Sequence, residues 1–349
     1  VIISADKLLE CTIDLLIAAG ESPDNAKLVA DNLCKADARG VTTHGTYLLT
    51  PIFERVEQNQ LTLPTRPKLA IDTAAVAVVQ GGDGLGPVAG IFAANIAVDR
   101  AKQFGVSLVL IRDTNNLGSL AYYTEQIARQ GMIAIMSCNA APAMAPWGGA
   151  EAFTGTNPIA IAIYTGKELV FSADMATSVV ARGKIRQAAR EDKSIPTDWA
   201  MDEDGNPTTD PKVALKGTLL PMGGPKGSAL ALAVDIMSGM LSGAEYAPNV
   251  LSFHTPSGKT GVGAALIALD ITKFMSLQEF ESSMAEYVMN LKGMKKAKHT
   301  TEIFLPGEIE HNREVNSVTN GIKLDDKAVG VLNALLEKIG STKRLNAVA

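Results

Sequence analysis

The sequence predicts an α/β fold built on a mixed sheet, and three observations carry that reading. From about residue 86 onward, stretches with apolar residues at three- and four-residue spacing alternate with short β-branched runs, the signature of helices layered on a sheet. The run IAIAIYTGKELVFSAD, residues 159–174, has two apolar arms around Gly166 and reads as an antiparallel hairpin, so the sheet is not purely parallel. With 349 residues there is ample chain for a large core, in one large domain or two to three intertwined ones.

In chain order, two amphipathic helices come first, over 5–19 behind a Ser4 cap and over 23–38. A loop rich in Thr and Gly follows, then a helical stretch near 51–58 and strands at 68–71 and 75–80. Helix 86–104, strand 107–112, helix 120–130 and strand 133–137 lead to the hairpin. A helix is expected over 178–189, with Asp174 as its cap. The segment WAMDEDGNPTTD, residues 199–210, reads as a tight turn at Asp204-Gly205; its glycine and acids are misplaced for an EF-hand, so calcium is not expected. Helix 227–241, strand 262–269, helix 277–291 and helix 325–339 complete the expected elements.

Composition narrows the function. The net charge of -5 and 5% aromatic residues lack the basic stripe of a nucleic-acid binder, and the cluster KGMKKAK, residues 292–298, reads as a solvated helix end. The 20 uncharged residues 131–150 are long enough to cross a bilayer, but Asn139, Pro142, Pro146, Gly148 and Gly149 break them into a strand and a loop. The opening segment has neither the basic flank nor the unbroken apolar core of a signal peptide. Cys11, Cys34 and Cys138 are scattered through apolar stretches, which points to a reducing, cytoplasmic setting. No metal site is expected.

The most visible cofactor motif is Gly84-Leu-Gly86-Pro-Val-Ala89 after the strand AVAVVQ, with an acid, Asp113, ending the next strand. Asp113 lies 29 residues past Gly84, against about 20 for a dinucleotide-binding turn, and several helices precede the supposed first strand. A tight structural turn fits better. For a proton carrier the four histidines give a short search, and His44 stands out in ADARGVTTHG, where a helix runs into a small polar loop; a histidine that merely caps the helix end is the alternative. Asp174, the turn Gly223-Gly-Pro-Lys-Gly227 with Lys226 in a first helical turn, and Asn115-Asn-Leu-Gly118-Ser119 at a strand end are sites where anions or ligands are commonly held.

Taken together, ADARGVTTHG at 36–45, PWGG at 146–149, GTNP at 155–158, DMATS at 174–178, ARGKI at 181–185, GGPKG at 223–227 and LPGE at 305–308 resemble the malate/L-lactate dehydrogenase family, which includes ureidoglycolate, sulfolactate and diketogulonate enzymes. The resemblance spans nearly the whole chain. It implies a non-Rossmann NAD(P)-binding fold with an intertwined helical domain, residues 1–72 plus 305–349 on the substrate side and 73–304 as the cofactor-binding part. It further implies a homodimer, NAD as cofactor with NADP left open, and a small 2-oxo or 2-hydroxy acid as substrate. By motif, His44 is the acid/base; Gly118, Ser119, Thr156 and Asn157 lie near the nicotinamide; Asp174, Met175, Ala176, Pro225, Lys226, Gly307 and Glu308 line the cofactor; and Thr43 adjoins the substrate.

Two departures from the family pattern matter. Leu48 stands where an arginine suited to a substrate carboxylate is typical, and Asn116 stands where many members carry histidine. Asn116 is then expected to orient the carbonyl and Lys259, in the loop SGKTG, to meet the carboxylate. Reduction of a cyclic ketimine, or a fold that binds cofactor with catalysis lost, are the alternatives.

Overall fold

The computed structural model describes residues 1–347. Its elements are β1 (Ile2–Ile3), α1 (Ala5–Ala18), α2 (Pro23–Ala38), α3 (Leu49–Glu57), β2 (Lys68–Thr73), β3 (Val76–Gln80), α4 (Gly86–Phe104), β4 (Val106–Thr114), α5 (Ala121–Ala128), β5 (Met132–Cys138), β6 (Ile159–Ile163), β7 (Phe171–Met175), α6 (Arg182–Arg190), β8 (Ala200–Met201), α7 (Pro211–Ala214), β9 (Thr218–Leu219), α8 (Pro225–Asp235), β10 (Val262–Asp270), α9 (Leu277–Gly293), α10 (Glu308–Asn320), β11 (Ile322–Lys323) and α11 (Asp326–Lys338).

Seven strands form one sheet in the order β2-β3-β4-β10-β5-β6-β7. Only β3 and β4 run parallel; β10 inserts antiparallel between β4 and β5, and β6–β7 form the expected hairpin with Gly166 at φ +77°. One α4 crossover therefore exists without the run of parallel strands that makes a dinucleotide crevice. The glycines of the decoy turn are there for close packing. A Cβ on Gly84 would lie 2.4 Å from Thr65 Cγ2, and one on Gly86 would lie 2.2 Å from the Asn116 carbonyl oxygen. Asp113, the acid of that motif, accepts from Gln80 Nε2 at 2.6 Å.

The core divides into separate apolar clusters. The largest joins α1, α2 and α3 to the C-terminal segment through Leu8, Leu15, Leu33, Leu49, Leu332 and Leu336. A second packs the small-residue face of α4 (Ala89, Ala93, Ala97, Ala101) on the sheet around Val109, Ile111 and Leu266. A third, smaller one surrounds Ile185 and Leu219. Cys11, Cys34 and Cys138 are all free and buried, small apolar fillers as their surroundings in the sequence suggest.

Two expectations are corrected. The helix expected over 178–189 begins only at Arg182, because Ser178 bridges Pro221 in an extended segment. Helix α10 has no counterpart in the sequence reading. Its only buried residue is Ser317, whose Oγ donates to the Ala38 carbonyl at 2.9 Å, so no apolar periodicity announces it.

Arg55 ties the helical layer to the segment before β10. It is 0% exposed, and it donates to the carbonyls of Phe253 at 2.9 Å, Ser252 at 2.6 Å and Gly258 at 2.9 Å, with its guanidinium 5.1 Å from the Phe253 ring. These are neutral acceptors, so burial lowers the arginine's pKa with no carboxylate to oppose it. Arg55→Met leaves three carbonyls without their donor and should cost roughly 3 kcal/mol; a melting temperature within about 1 °C of wild type would contradict this clamp.

Candidate active site

The loop that carries His44 is set by a buried carboxylate. Asp37, in the last turn of α2 and 4% exposed, accepts from Thr46 N at 2.8 Å and from Thr46 Oγ1 at 2.6 Å. Between them the chain makes two short 3-10 turns, 42–44 and 46–48, and Gly45 passes so close that a Cβ there would lie 1.9 Å from Asp37 Oδ1. Burial pushes the Asp37 carboxyl up to about 6 against the bonds from Thr46. Since the unfolded chain ionises first, this group disfavours the folded state increasingly as pH rises from about 4 to about 6. The loop geometry is what that cost sustains.

His44 is half-buried, with Nδ1 3.1 Å from Thr43 Oγ1. With the ring protonated both nitrogens donate, so Thr43 Oγ1 accepts from Nδ1–H and Nε2–H is left as the free donor. Burial lowers the imidazole pKa below its ordinary value, and the negative charge of Asp174 opposes that shift.

Asp174 is not the cap of the following helix. It lies in edge strand β7, and its Oδ2 accepts from Ser119 Oγ at 2.8 Å and from Ala121 N at 2.9 Å, so it caps α5 from another part of the chain. The same carboxylate thus fixes the 116–119 turn, and its charge acts on the His44 imidazole. Within that turn Asn116 Oδ1 accepts from Gly118 N at 2.8 Å, which commits the amide oxygen and leaves the NH2 as its free donor.

The remaining cofactor candidates gather round the end of β7. Thr177 donates through N and Oγ1 to the Thr156 carbonyl, both at 2.9 Å, and Met222 N donates to the Thr177 carbonyl at 2.9 Å. That brings Thr156, Met175 and Ala176 beside the turn Gly223-Gly224, both at positive φ, from which α8 starts at Pro225 with Lys226 exposed. Among the described residues Lys226 forms no ion pair. Gly307 backs onto β7, where a Cβ would lie 2.7 Å from Ser172 Cβ. Glu308 is engaged: it accepts from Leu305 N at 2.8 Å and from Lys292 at 2.5 Å, which holds its pKa low although burial opposes this. Asn157 is 0% exposed, with its amide bonded to Ala140 N and the Ala231 carbonyl, so it braces the site from within.

Leu48 is 3% exposed among Leu33, Ile52, Leu85 and Phe253, on the wall of a small void that also touches Asn116. Lys259 does not point a free charge at this place. Its Nζ is 2.5 Å from Asp83 Oδ2, and its side chain is 70% exposed. Sequence reasoning missed His254, which is exposed as expected for a turn histidine but has its ring 6.0 Å from Tyr47 beside the His44 loop. No local pattern marks His254, which a distant loop brings in. Trp147 stands in the PWGG motif, which assigns it no role; it is 64% exposed and packed so that a Cβ on Gly224 would meet its ring at 2.9 Å.

The mixed sheet with a single parallel strand pair, a histidine loop fixed by a buried carboxylate and a glycine turn ahead of α8 give the architecture of a non-Rossmann dehydrogenase. The chain belongs to the malate/L-lactate dehydrogenase family, whose model matches residues 3–333. It is 36% identical over 338 residues to the malate/(S)-sulfolactate dehydrogenase of Methanothermus fervidus, covering 97% of this chain and 98% of that one. The solved sulfolactate dehydrogenase of Methanocaldococcus jannaschii superposes with a TM-score of 0.92 at 36% identity, covering 98% of each chain. The delta1-piperideine-2-carboxylate reductase of Pseudomonas syringae pv. tomato superposes with a TM-score of 0.87 at 27% identity, covering 96% of this chain and 99% of that one. Among the described residues no helix is long and apolar enough to cross a membrane.

The Gly45 contact gives a direct check on the loop. Gly45→Ala must move Asp37 or the loop, and the expected outcome is a loss of about 2 kcal/mol or more together with most of the turnover. Thermal denaturation and steady-state rates read the two effects; an unchanged melting temperature and rate would show that the loop is not under this constraint.

Proposed function

We propose that this dehydrogenase transfers a hydride between a nicotinamide and the carbonyl carbon of a small 2-oxo acid, with His44 donating the proton in reduction. The observation that carries the reading is His44 on the loop that Asp37 fixes, with Nδ1 3.1 Å from Thr43 Oγ1, where the charge of Asp174, the carboxylate that anchors Ser119 and the first turn of α5, favours the protonated ring. An imidazole with a lowered pKa gives up its proton readily, and a nearby carboxylate keeps the charged form accessible.

The residues present suit a dinucleotide. The unpaired Lys226 at the start of α8 and the unfilled space at Gly223, where an added Cβ meets nothing within 4 Å, fit a pyrophosphate. Ser119, Thr156, Met175, Ala176 and Pro225 would flank the rest, and Gly118, Asn157, Gly307 and Glu308 would shape the walls behind them. When bound, NAD supplies the hydride acceptor or donor; NADP is the alternative that a cofactor comparison decides. Thr43 orients the His44 ring, and the Asn116 NH2 is the donor available to a substrate carbonyl. The three buried free cysteines suit a reducing, cytoplasmic setting. The proposed division into a helical part, residues 1–72 plus 305–349, and a cofactor part, residues 73–304, follows the two main apolar clusters in outline, with Leu85, Val88 and Phe253 joining the helical cluster and β2 belonging to the seven-stranded sheet.

A cyclic ketimine acid is the second reading, favoured by the apolar Leu48 wall beside Asn116 and by the likeness to the piperideine-2-carboxylate reductase. Assay of NADH and NADPH against pyruvate, oxaloacetate, sulfopyruvate, ureidoglycolate and a cyclic ketimine separates the two. His44→Ala should lower kcat by at least a hundredfold with cofactor affinity nearly unchanged. In reduction, kcat/KM should fall as pH rises through the His44 pKa, below its ordinary 6.5. Asp174→Asn removes the charge that favours imidazolium, so that limb should move to lower pH; a shift upward, or retained turnover in His44→Ala, would refute the assignment.

A homodimer is part of the same proposal. Helix α9 has no buried residue over its 17 positions, and Ile236, Met237, Met240 and Leu241 after α8 are 52%, 38%, 49% and 59% exposed. The double variant Met240→Glu/Leu241→Glu should elute as a monomer in size exclusion with light scattering; an intact dimer would remove this face from the interface.

A further inference from the structure

With Leu48 in the apolar core and Lys259 paired to Asp83, the anionic end of a 2-oxo acid needs another cation near His44. Helix α6 brings one. Its sequence RGKIRQAAR has four basic residues and no acid, and it is pinned by Ile185 at 0% exposure. Its first turn packs on the His44 loop: a Cβ on Gly183 would lie 3.1 Å from Thr43 Cγ2. Residue 186 is three positions on and so lies on the same helix face. Arg182, one turn earlier, is occupied, donating to the Leu215 carbonyl at 2.6 Å. Arg186 is exposed, and among the described residues it has neither an ion pair nor a side-chain hydrogen bond. Its charge acts on His254, which is also within reach of the charges of His44 and Arg55. His254 in turn has its ring 6.0 Å from that of Tyr47, the residue immediately before Leu48 on the side of His44.

Resting on the hydride-transfer reading above, we propose that Arg186 is the substrate-carboxylate anchor of this enzyme, taking from α6 the role that a cation at position 48 would have played. A guanidinium gives a carboxylate two parallel N–H donors, and being unpaired it loses no acidic partner when substrate binds. The anchor is therefore carried by a helix packed on the His44 loop, while the wall at Leu48 is apolar. This arrangement grips the acid group and leaves the rest of the substrate against apolar surface and the Asn116 donor.

The test compares Arg186→Gln, Arg186→Lys and, as a control for the general charge of the helix, Arg190→Gln one turn further on. For the best 2-oxo acid of the panel, Arg186→Gln should lower kcat/KM roughly 10- to 100-fold, mainly through KM, with Arg186→Lys between it and wild type. The corresponding methyl ester should lose little, so the preference for acid over ester collapses in Arg186→Gln alone. An acid-to-ester ratio unchanged in Arg186→Gln, or lowered equally in Arg190→Gln, overturns the anchor. Calorimetry of oxamate binding to the NADH-loaded protein reads the same contact without turnover. Oxamate binding weakened at least tenfold in Arg186→Gln supports the anchor even if no 2-oxo acid is reduced, in which case only the hydride-transfer reading falls; equal oxamate binding in both proteins overturns the anchor.

Discussion

The site depends on one buried carboxylate at the end of a helix. Asp37 closes α2 by accepting both the N–H and the hydroxyl of Thr46, and the residues between are forced into two tight turns with Gly45 against the carboxylate. A buried acid is costly to keep ionised, and here its pKa is pushed up to about 6. That cost is offset by a pair of strong hydrogen bonds whose product is a rigid loop. His44 projects from that loop at a fixed place, so its chemistry is a consequence of how α2 ends.

A second carboxylate couples the loop to the sheet. Asp174 belongs to edge strand β7 yet caps α5, which starts on the far side of the 116–119 turn. Arg39, at the end of α2, makes a two-pronged pair with Glu125 of α5 at 2.8 and 2.5 Å, so the helical layer and the sheet layer are joined within a few residues of His44. His44 and the strand end where a cofactor is proposed therefore share the same supports. Movement of either layer would alter both.

The departures at Leu48 and Asn116 change the character of the cleft without emptying it. Leu48 extends the apolar core up to Asn116, and the amide there holds its own turn through Gly118 N. In the proposed reading a substrate would meet an imidazole, one amide donor and an apolar wall, with the basic helix α6 packed on the His44 loop. Specificity would then rest on the distribution of charge around the rim.

Periodicity and turn chemistry in the sequence alone determined most of the longer helices, the hairpin at Gly166 and the mixed character of the sheet, because burial of one face imposes a period of 3.6 or 2 on local residues. The linked motifs determined the family, and the small polar loop after α2 marked His44. Tertiary structure decided the rest. Asp174 reads locally as a cap for its own downstream helix but serves α5, 53 residues earlier in the chain, as measured to Ala121. Lys259 reads as a free loop cation but meets Asp83, 176 positions away. Helix α10 carries no apolar stripe and forms on a hydroxyl and a glycine turn supplied by packing. Charges and polar groups choose partners by distance in space, and distance in space is the quantity that a linear pattern does not encode.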